Sequence, residues 1–208
     1  MVNFAEMKII CVGRNYGLHA KELGNDIPSE PVIFLKPDTA ILRRNEPFFL
    51  PPFSSDIHHE VEVVLRINRL GKSIDPAFAS RYYDEITLGV DFTARDLQNK
   101  QKEKGLPWEI AKAFDSSAVI GEMISVDGLD MNNLTFSLLK NGVKVQEGNT
   151  ADMLFSFDAI ISYVSRFFTL KIGDLIYTGT PAGVGAVAIN DRLEGFIGDR
   201  KMFDFRVK

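Results

Sequence analysis

An α+β chain that is mainly β, folded as a mixed, largely antiparallel β-roll or barrel with a few short helices, is the fold class this sequence predicts. Three observations carry that prediction. Short apolar runs rich in Val, Ile, Leu and Phe are separated every few residues by Gly, Pro and Asn. Thr135–Leu139 and Val143–Gln146 flank Asn141-Gly142, the strongest two-residue hairpin signal. Only one long helical pattern occurs, so the strand–helix alternation of a doubly wound fold is missing. With no internal repeat, low-complexity stretch or linker, residues 1–208 read as one domain.

The elements follow in order. Met7–Val12 is a short apolar strand stopped at Gly13. Gly13–Gly17 is loop, and Leu18–Leu23 a brief helical turn closed by Gly24-Asn25-Asp26 and the following prolines. Val32–Leu35 is a second strand, ended by Lys36-Pro37. Ile41–Leu50 gives more extended chain, broken at Pro47 and stopped by Pro51-Pro52. From Glu60 to Ile67 the chain alternates as a strand. Pro76–Tyr83 is a one- to two-turn helix with Pro at its start. In the Glu85–Thr93 strand, Ile86, Leu88 and Val90 alternate with Thr87, Gly89 and Asp91. A polar helix then runs to about Lys104, with Thr93 as its expected N-cap. Lys112 falls in a loop-like stretch between small apolar residues. Val119–Met123 is a strand, and the Asn-Gly hairpin comes next. In Asp152–Phe168, Met153, Leu154, Phe157, Ile160, Ile161, Val164, Phe167 and Phe168 recur at helical spacing, which predicts an amphipathic helix with a core-facing stripe. Asp174–Tyr177 leads into the tight loop Thr178–Gly185, and Leu193–Ile197 and Met202–Val207 finish the chain as strands.

Composition narrows the function classes. A net charge of −4 argues against a nucleic-acid or anionic-membrane partner. No apolar run approaches the roughly 18 residues of a membrane helix, and no signal peptide is read after Met1. The single cysteine, Cys11, has no internal disulfide partner and is expected to be a buried structural thiol. A cytoplasmic location is the expectation.

Candidate chemistry starts at Glu60 and Glu62. They share one strand face, about 7 Å apart at their Cα atoms, while Val61, Val63, Leu65 and Ile67 take the other. Either that face is solvated, or a cation lies between the carboxylates. Asp91 ends a second strand just ahead of Arg95 and Gln98, which neighbour each other on the first turn of the polar helix. Three converging carboxylates without a cation would raise one another's pKa values. A hard divalent ion removes that conflict, and magnesium suits few carboxylates plus substrate oxygens. The usual Cys/His spacings of zinc are absent, and adjacent His58 and His59 point to opposite strand faces. His19 and Glu22, at helical spacing, are either a solvated pair or a general base held in one tautomer. The Thr178–Gly185 loop can bring backbone N–H groups to a ligand, but it lacks the Gly-Lys-Ser/Thr ending of a phosphate loop.

Taken together, the motifs and their order resemble the fumarylacetoacetate hydrolase superfamily, in particular its short acylpyruvase/oxaloacetate decarboxylase-like branch. The matching stretches are CVGRNYGLHAKEL (Cys11 to Leu23), FLKP (Phe34 to Pro37), IHHEVEVV (Ile57 to Val64), GVDFTARDLQ (Gly89 to Gln98), GLPWEIAKAFD (Gly105 to Asp115), FSFDAIISYVS (Phe155 to Ser165), GDLIYTGTPAGVG (Gly173 to Gly185) and DRLEGFIG (Asp191 to Gly198), spanning nearly the whole chain.

That resemblance implies a fumarylacetoacetase C-terminal-like β-roll around a metal site, as a homodimer. It implies Glu60, Glu62 and Asp91 as ligands of Mg2+, with Mn2+ or Ca2+ as substitutes. It implies Arg95, Gln98 and Lys112 as holders of a substrate's carboxylate and oxo groups, Lys112 with a catalytic role, and Thr180 as a further substrate contact. It implies His19 and Glu22 as a catalytic dyad on a lid-like segment that orders over substrate and activates water. The expected partner is a small 2-oxo acid, with no nucleic acid or membrane. The expected activity is metal-dependent C–C hydrolysis of acylpyruvates, decarboxylation of oxaloacetate, or both, through a stabilised enolate. The alternative is an isomerase or tautomerase acting on a 2-hydroxydienoate dicarboxylate or on oxaloacetate. The longer family hydrolases carry an extra N-terminal domain for which this chain has no room, so fumarylacetoacetate itself is not the expected substrate.

Overall fold

The computed structural model describes residues 7–18, 26–43 and 45–208. Its strands are β1 (Ile9–Gly13), β2 (Val32–Lys36), β3 (Ile41–Leu42), β4 (Ile57–His59), β5 (Val61–Ile67), β6 (Tyr83–Asp91), β7 (Thr93–Ala94), β8 (Ala118–Ile120), β9 (Ile124–Ser125), β10 (Thr135–Lys140), β11 (Val143–Asn149), β12 (Leu175–Tyr177), β13 (Gly185–Ala186), β14 (Arg192–Ile197) and β15 (Arg200–Arg206). The α-helices that lie wholly within the described residues are α1 (Arg95–Lys104), α2 (Glu109–Lys112) and α3 (Phe157–Phe167). The expected mainly-β class holds.

The largest sheet runs β2-β1-β12-β5-β6-β8-β3, with β9 beside β6. Pairings β1/β12 and β3/β8 are parallel, and the other neighbours along that sheet are antiparallel. A second antiparallel sheet, β11-β10-β14-β15, contains the predicted hairpin. Asn141 (φ 55°) and Gly142 (φ 80°) both take the left-handed backbone that its two-residue turn requires. A small sheet, β13-β4-β7, is built from short strands of which β4 leads into β5 and β7 joins β6 to α1 in the chain.

Strand β5 is buried on both faces. Val61, Val63, Leu65 and Ile67 enter the main apolar cluster, which they share with Ile86, Leu88 and Val90 of β6 and with Ile160, Ile161 and Val164 of α3. On the other face, Val64 packs in a second cluster with Ile9, Cys11, Leu175 and Tyr177. The face that carries Glu62 is therefore not a solvated one. Cys11 is fully buried, as expected, and burial pushes its thiol pKa up.

Three elements differ from the sequence pattern. Helix α3 begins at Phe157, not Asp152, because Ser156 caps it, its Oγ accepting from the Ala159 N–H at 3.3 Å. Met153 and Leu154 precede it. Thr93 does not cap α1: β4 holds it extended, with His58 opposite Thr93, and its hydroxyl donates to the Asp91 carbonyl at 3.3 Å. Asp96 instead accepts from the Leu97 N–H at 2.8 Å and from Ser54 Oγ at 2.7 Å. Lys112 ends a one-turn helix rather than sitting in a loop. No described helix is long and apolar enough to cross a membrane.

Candidate active site and metal centre

Register brings the three carboxylates together. Antiparallel β5 and β6 pair Val61 with Val90 and Glu62 with Gly89, and the Asp91 N–H donates to the Glu60 carbonyl at 2.8 Å. Glu60, Glu62 and Asp91 thus share one sheet face on adjacent strands. Each offers an oxygen within 4.8 Å of the others'. All three are buried, Glu62 to 2% exposure and Asp91 to 1%. Gly89, opposite Glu62, leaves no side chain on that face: an added Cβ would meet the Val119 carbonyl oxygen at 2.5 Å.

Cations close around the carboxylates. Lys112 Nζ donates to Glu60 Oε2 at 2.7 Å and to Asp91 Oδ2 at 2.8 Å. Arg95 donates to Glu60 Oε1, and its other terminal nitrogen donates to Gln98 Oε1 at 2.5 Å. Lys36 Nζ lies 2.7 Å from Asp91 Oδ1, an ion pair without the angles of a hydrogen bond. The Gly179 N–H donates to Glu62 Oε2 at 2.7 Å. Burial, then Asp91 and Glu60, push the Glu62 carboxyl well above its ordinary pKa. Burial would lower Lys112, but Asp91 and Glu60 outweigh it and hold the ammonium charged.

This donor set fits a hard divalent ion. The converging atoms are all carboxylate oxygens, they are withdrawn from water, and their mutual repulsion is what a cation relieves. The Lys112 ammonium bridges two of the three carboxylates. The histidines do not compete. His58 Nε2 sits 2.8 Å from Asp56 Oδ1. His59 is buried, its Nδ1–H donating to Gln146 Oε1 at 2.9 Å, and burial lowers its pKa. Gln146 Nε2 in turn donates to Thr180 Oγ1 at 2.8 Å, which fixes the hydroxyl at the pocket wall.

The pocket is lined by Glu60, Glu62, Asp91, Arg95, Gln98, Lys112 and Thr180, every described candidate from the sequence. His19 and Glu22 lie outside the described residues. With Arg95 and Lys112 folded over the carboxylates, about 30 Å3 of free volume remains, roughly one water.

Four contributors were not singled out from sequence. Lys36 is fully buried behind Asp91, held also by Ser117 Oγ at 2.9 Å and by the Lys112 carbonyl. Arg14, Lys102 and Trp108 line the pocket mouth. Lys102 had a readable signal: Arg95, Gln98 and Lys102 fall on one helical stripe. Lys36 had only its position at the end of an apolar strand, and Arg14 none.

With this geometry described, comparison with known proteins is informative. The profile described as Fumarylacetoacetate (FAA) hydrolase C-terminal matches residues 8–206. The chain is 44% identical over 201 residues to rat oxaloacetate tautomerase FAHD1, mitochondrial, covering 96% of this chain and 91% of the relative. It is 47% identical over 182 residues to the mitochondrial oxaloacetate decarboxylase of Dictyostelium discoideum, covering 86% and 84%. Among solved structures, a fumarylpyruvate hydrolase from Pseudomonas aeruginosa in complex with Mn2+ and pyruvate superposes with a TM-score of 0.90 at 37% identity, covering 96% of this chain and 88% of that one.

Proposed function

The chain belongs to the fumarylacetoacetate hydrolase family, and on that premise we propose that it is a divalent-metal-dependent enzyme that forms and quenches the enolate of small 2-oxo acids, oxaloacetate foremost. The observation that carries this reading is the buried Glu60/Glu62/Asp91 cluster with Lys112 and Arg95 set against it. The names of the relatives, tautomerase and decarboxylase of oxaloacetate, and the Mn2+ and pyruvate in the hydrolase neighbour support it.

In this proposal Glu60, Glu62 and Asp91 hold magnesium or manganese, which when bound supplies Lewis acidity to a 2-oxo oxygen and its neighbouring carboxylate. Arg95 and Gln98 grip the carboxylate next to the oxo group, aligned by their shared helical turn. Lys112 sets a charged ammonium where negative charge develops, and carries the proton that returns to carbon when the enolate is quenched. Thr180, oriented by Gln146, donates to a substrate oxygen. Keto–enol interconversion needs no attacking water: the enol O–H gives up its proton to solvent while Lys112 returns one to carbon and is recharged from solvent, so it is the outcome the described residues support best. Loss of CO2 from the keto form of oxaloacetate draws on the same charge stabilisation but leaves the enolate of pyruvate, which is protonated at carbon in turn. Hydrolysis of an acylpyruvate adds an attacking water, the role proposed for His19 and Glu22. A homodimer, implied by the family resemblance, completes the proposal, and sedimentation of the purified protein tests it.

Enol–keto interconversion of oxaloacetate, with pyruvate release from oxaloacetate and acetylpyruvate followed in parallel, is to be measured with Mg2+, with Mn2+ and with EDTA. Metal-dependent acceleration of the interconversion is expected. If none of these reactions responds to metal, the proposal fails.

A further inference from the structure

The pocket has a second end whose charged lining residues are both cations. Arg14 and Lys102 line both the carboxylate pocket and an adjoining open cleft with about 450 Å3 of free volume, which Gln101 and Trp108 also line. Among the described residues neither cation has a carboxylate at ion-pair distance. Gln101 is buried, and its Oε1 has no partner; turned over, the same amide presents N–H groups to an anion.

Both cations are held where they are by the fold. Arg14 has φ 60°, a backbone conformation that side chains other than glycine rarely adopt. The next residue clamps it there. Asn15 is fully buried, its Nδ2 donating to the carbonyls of Thr178 (2.8 Å) and Phe155 (3.0 Å), and its Oδ1 accepting from the Phe155 N–H (2.8 Å). Lys102 lies two turns beyond Arg95 on the same face of α1, with its ammonium 5.8 Å from the centre of the Trp108 ring. Burial, with Arg95 and Arg14 adding to it, pulls the Lys102 pKa down to about 8. Among the described residues, five cations (Arg14, Lys36, Arg95, Lys102, Lys112) thus meet three carboxylates, and the unmatched charge sits at the mouth.

We propose that Arg14 and Lys102 bind the distal carboxylate of a 2-oxo dicarboxylic acid, while Arg95 and Gln98 hold the end that faces the Glu60/Glu62/Asp91 cluster. The substrate class rests on the 2-oxo acid reading above. The pair makes the enzyme selective for dicarboxylic over monocarboxylic 2-oxo acids, because a monoanion leaves the mouth charge unmatched. A carboxylate there also relieves the repulsion between Arg14 and Lys102.

Two non-reacting probes test this. L-malate and L-lactate differ at C3, where malate's distal carboxylate group replaces a hydrogen of lactate's methyl group, and neither has a carbonyl to enolise. Titration calorimetry on the Mn2+-loaded full chain should show malate binding about tenfold more tightly than lactate, the scale of one charge-assisted hydrogen bond. Arg14→Gln and Lys102→Gln should each shrink that ratio at least threefold, and Lys102→Arg should restore it. Lys102→Gln lies on the last turn of a helix, so it keeps the test decisive if Arg14→Gln fails to fold. A ratio near one in the native protein, or one unchanged by folded variants, overturns the inference. Oxaloacetate turnover is scored separately. Preference without turnover removes the proposed activity and keeps the binding assignment, whereas turnover without preference does the reverse.

Discussion

Lys36 has no accessible side-chain surface, and its ammonium is surrounded by oxygens of Asp91, Ser117 and Lys112. It touches no space a substrate can enter, so its role is to position Asp91. Removing one partner of a buried pair leaves the other charge uncompensated, at a cost of about 3–5 kcal/mol. Lys36→Met should lower the unfolding free energy of the EDTA-treated protein by that order in urea titrations, and Mn2+ should recover part of it. A loss below about 1 kcal/mol would refute the role. Lys102 offers the opposite test. Its folded pKa of about 8 lies below the ordinary lysine value, so below pH 8 folding bears the cost of a half-desolvated charge, and the cost fades as pH rises toward 10.5. Lys102→Gln should therefore melt higher than the native protein at pH 7, with the gap closing by about pH 10. A pH-independent gap would count against the assignment. At this scale the sequence was legible where a periodic pattern made a residue anomalous. Glu60 and Glu62 stood out because they put two like charges side by side on one face of an alternating strand. Lys36 and Arg14 did not, because a strand-end lysine and a loop arginine are ordinary in sequence, and only non-local pairing of β1, β2 and β12 buries one and aims the other.

The carboxylate cluster belongs to two elements and one register. β5 and β6 place Glu60 beside Asp91, and the loop after β12 fixes Glu62 through the Gly179 N–H. Gly179 has φ 105°, and a Cβ there would lie 2.6 Å from Asn15 Cβ. Gly179→Ala should destabilise the protein by about 1–3 kcal/mol and weaken Mn2+ binding together with activity. Ser156→Ala, which uncaps α3 and is not part of the pocket lining, should cost about 1 kcal/mol in the same denaturation assay while leaving turnover unaltered. If the two variants behave alike in the activity assay, the loop does not serve the cluster. The presence of an element was readable where the signal is local: the Asn141-Gly142 turn and the core-facing stripe of α3 are examples, although α3 starts at Phe157 and not at Asp152. The start of α1 was not, because pairing of Thr93 with His58 in β4 overrides a favourable capping residue.

Over the whole molecule, the buried carboxylates make the metal-free fold carry a repulsion that a bound ion removes. Binding to the folded state alone stabilises by about 2.7 kcal/mol at a ligand concentration one hundred times Kd. Mn2+ should thus raise the melting temperature of the native protein, and Glu62→Gln should abolish that rise and the activity while remaining folded. A full metal-induced shift in Glu62→Gln would refute the assignment of this ligand. The parallel contact of β1 with β12, which aligns Cys11 with Tyr177, has a further consequence during synthesis on the ribosome. A nascent chain that has released Glu60, Glu62 and Asp91 already contains the three carboxylates of the cluster. It still lacks β12, which must insert between β1 and β5, and it lacks the Gly179 N–H that anchors Glu62. Until those residues emerge, β1 and β5 each present an open edge to neighbouring chains. Under the proposed metal assignment, capture of the ion is expected late, once the sheet is finished, and premature termination before Leu175 should yield aggregates instead of a smaller metal-binding fragment.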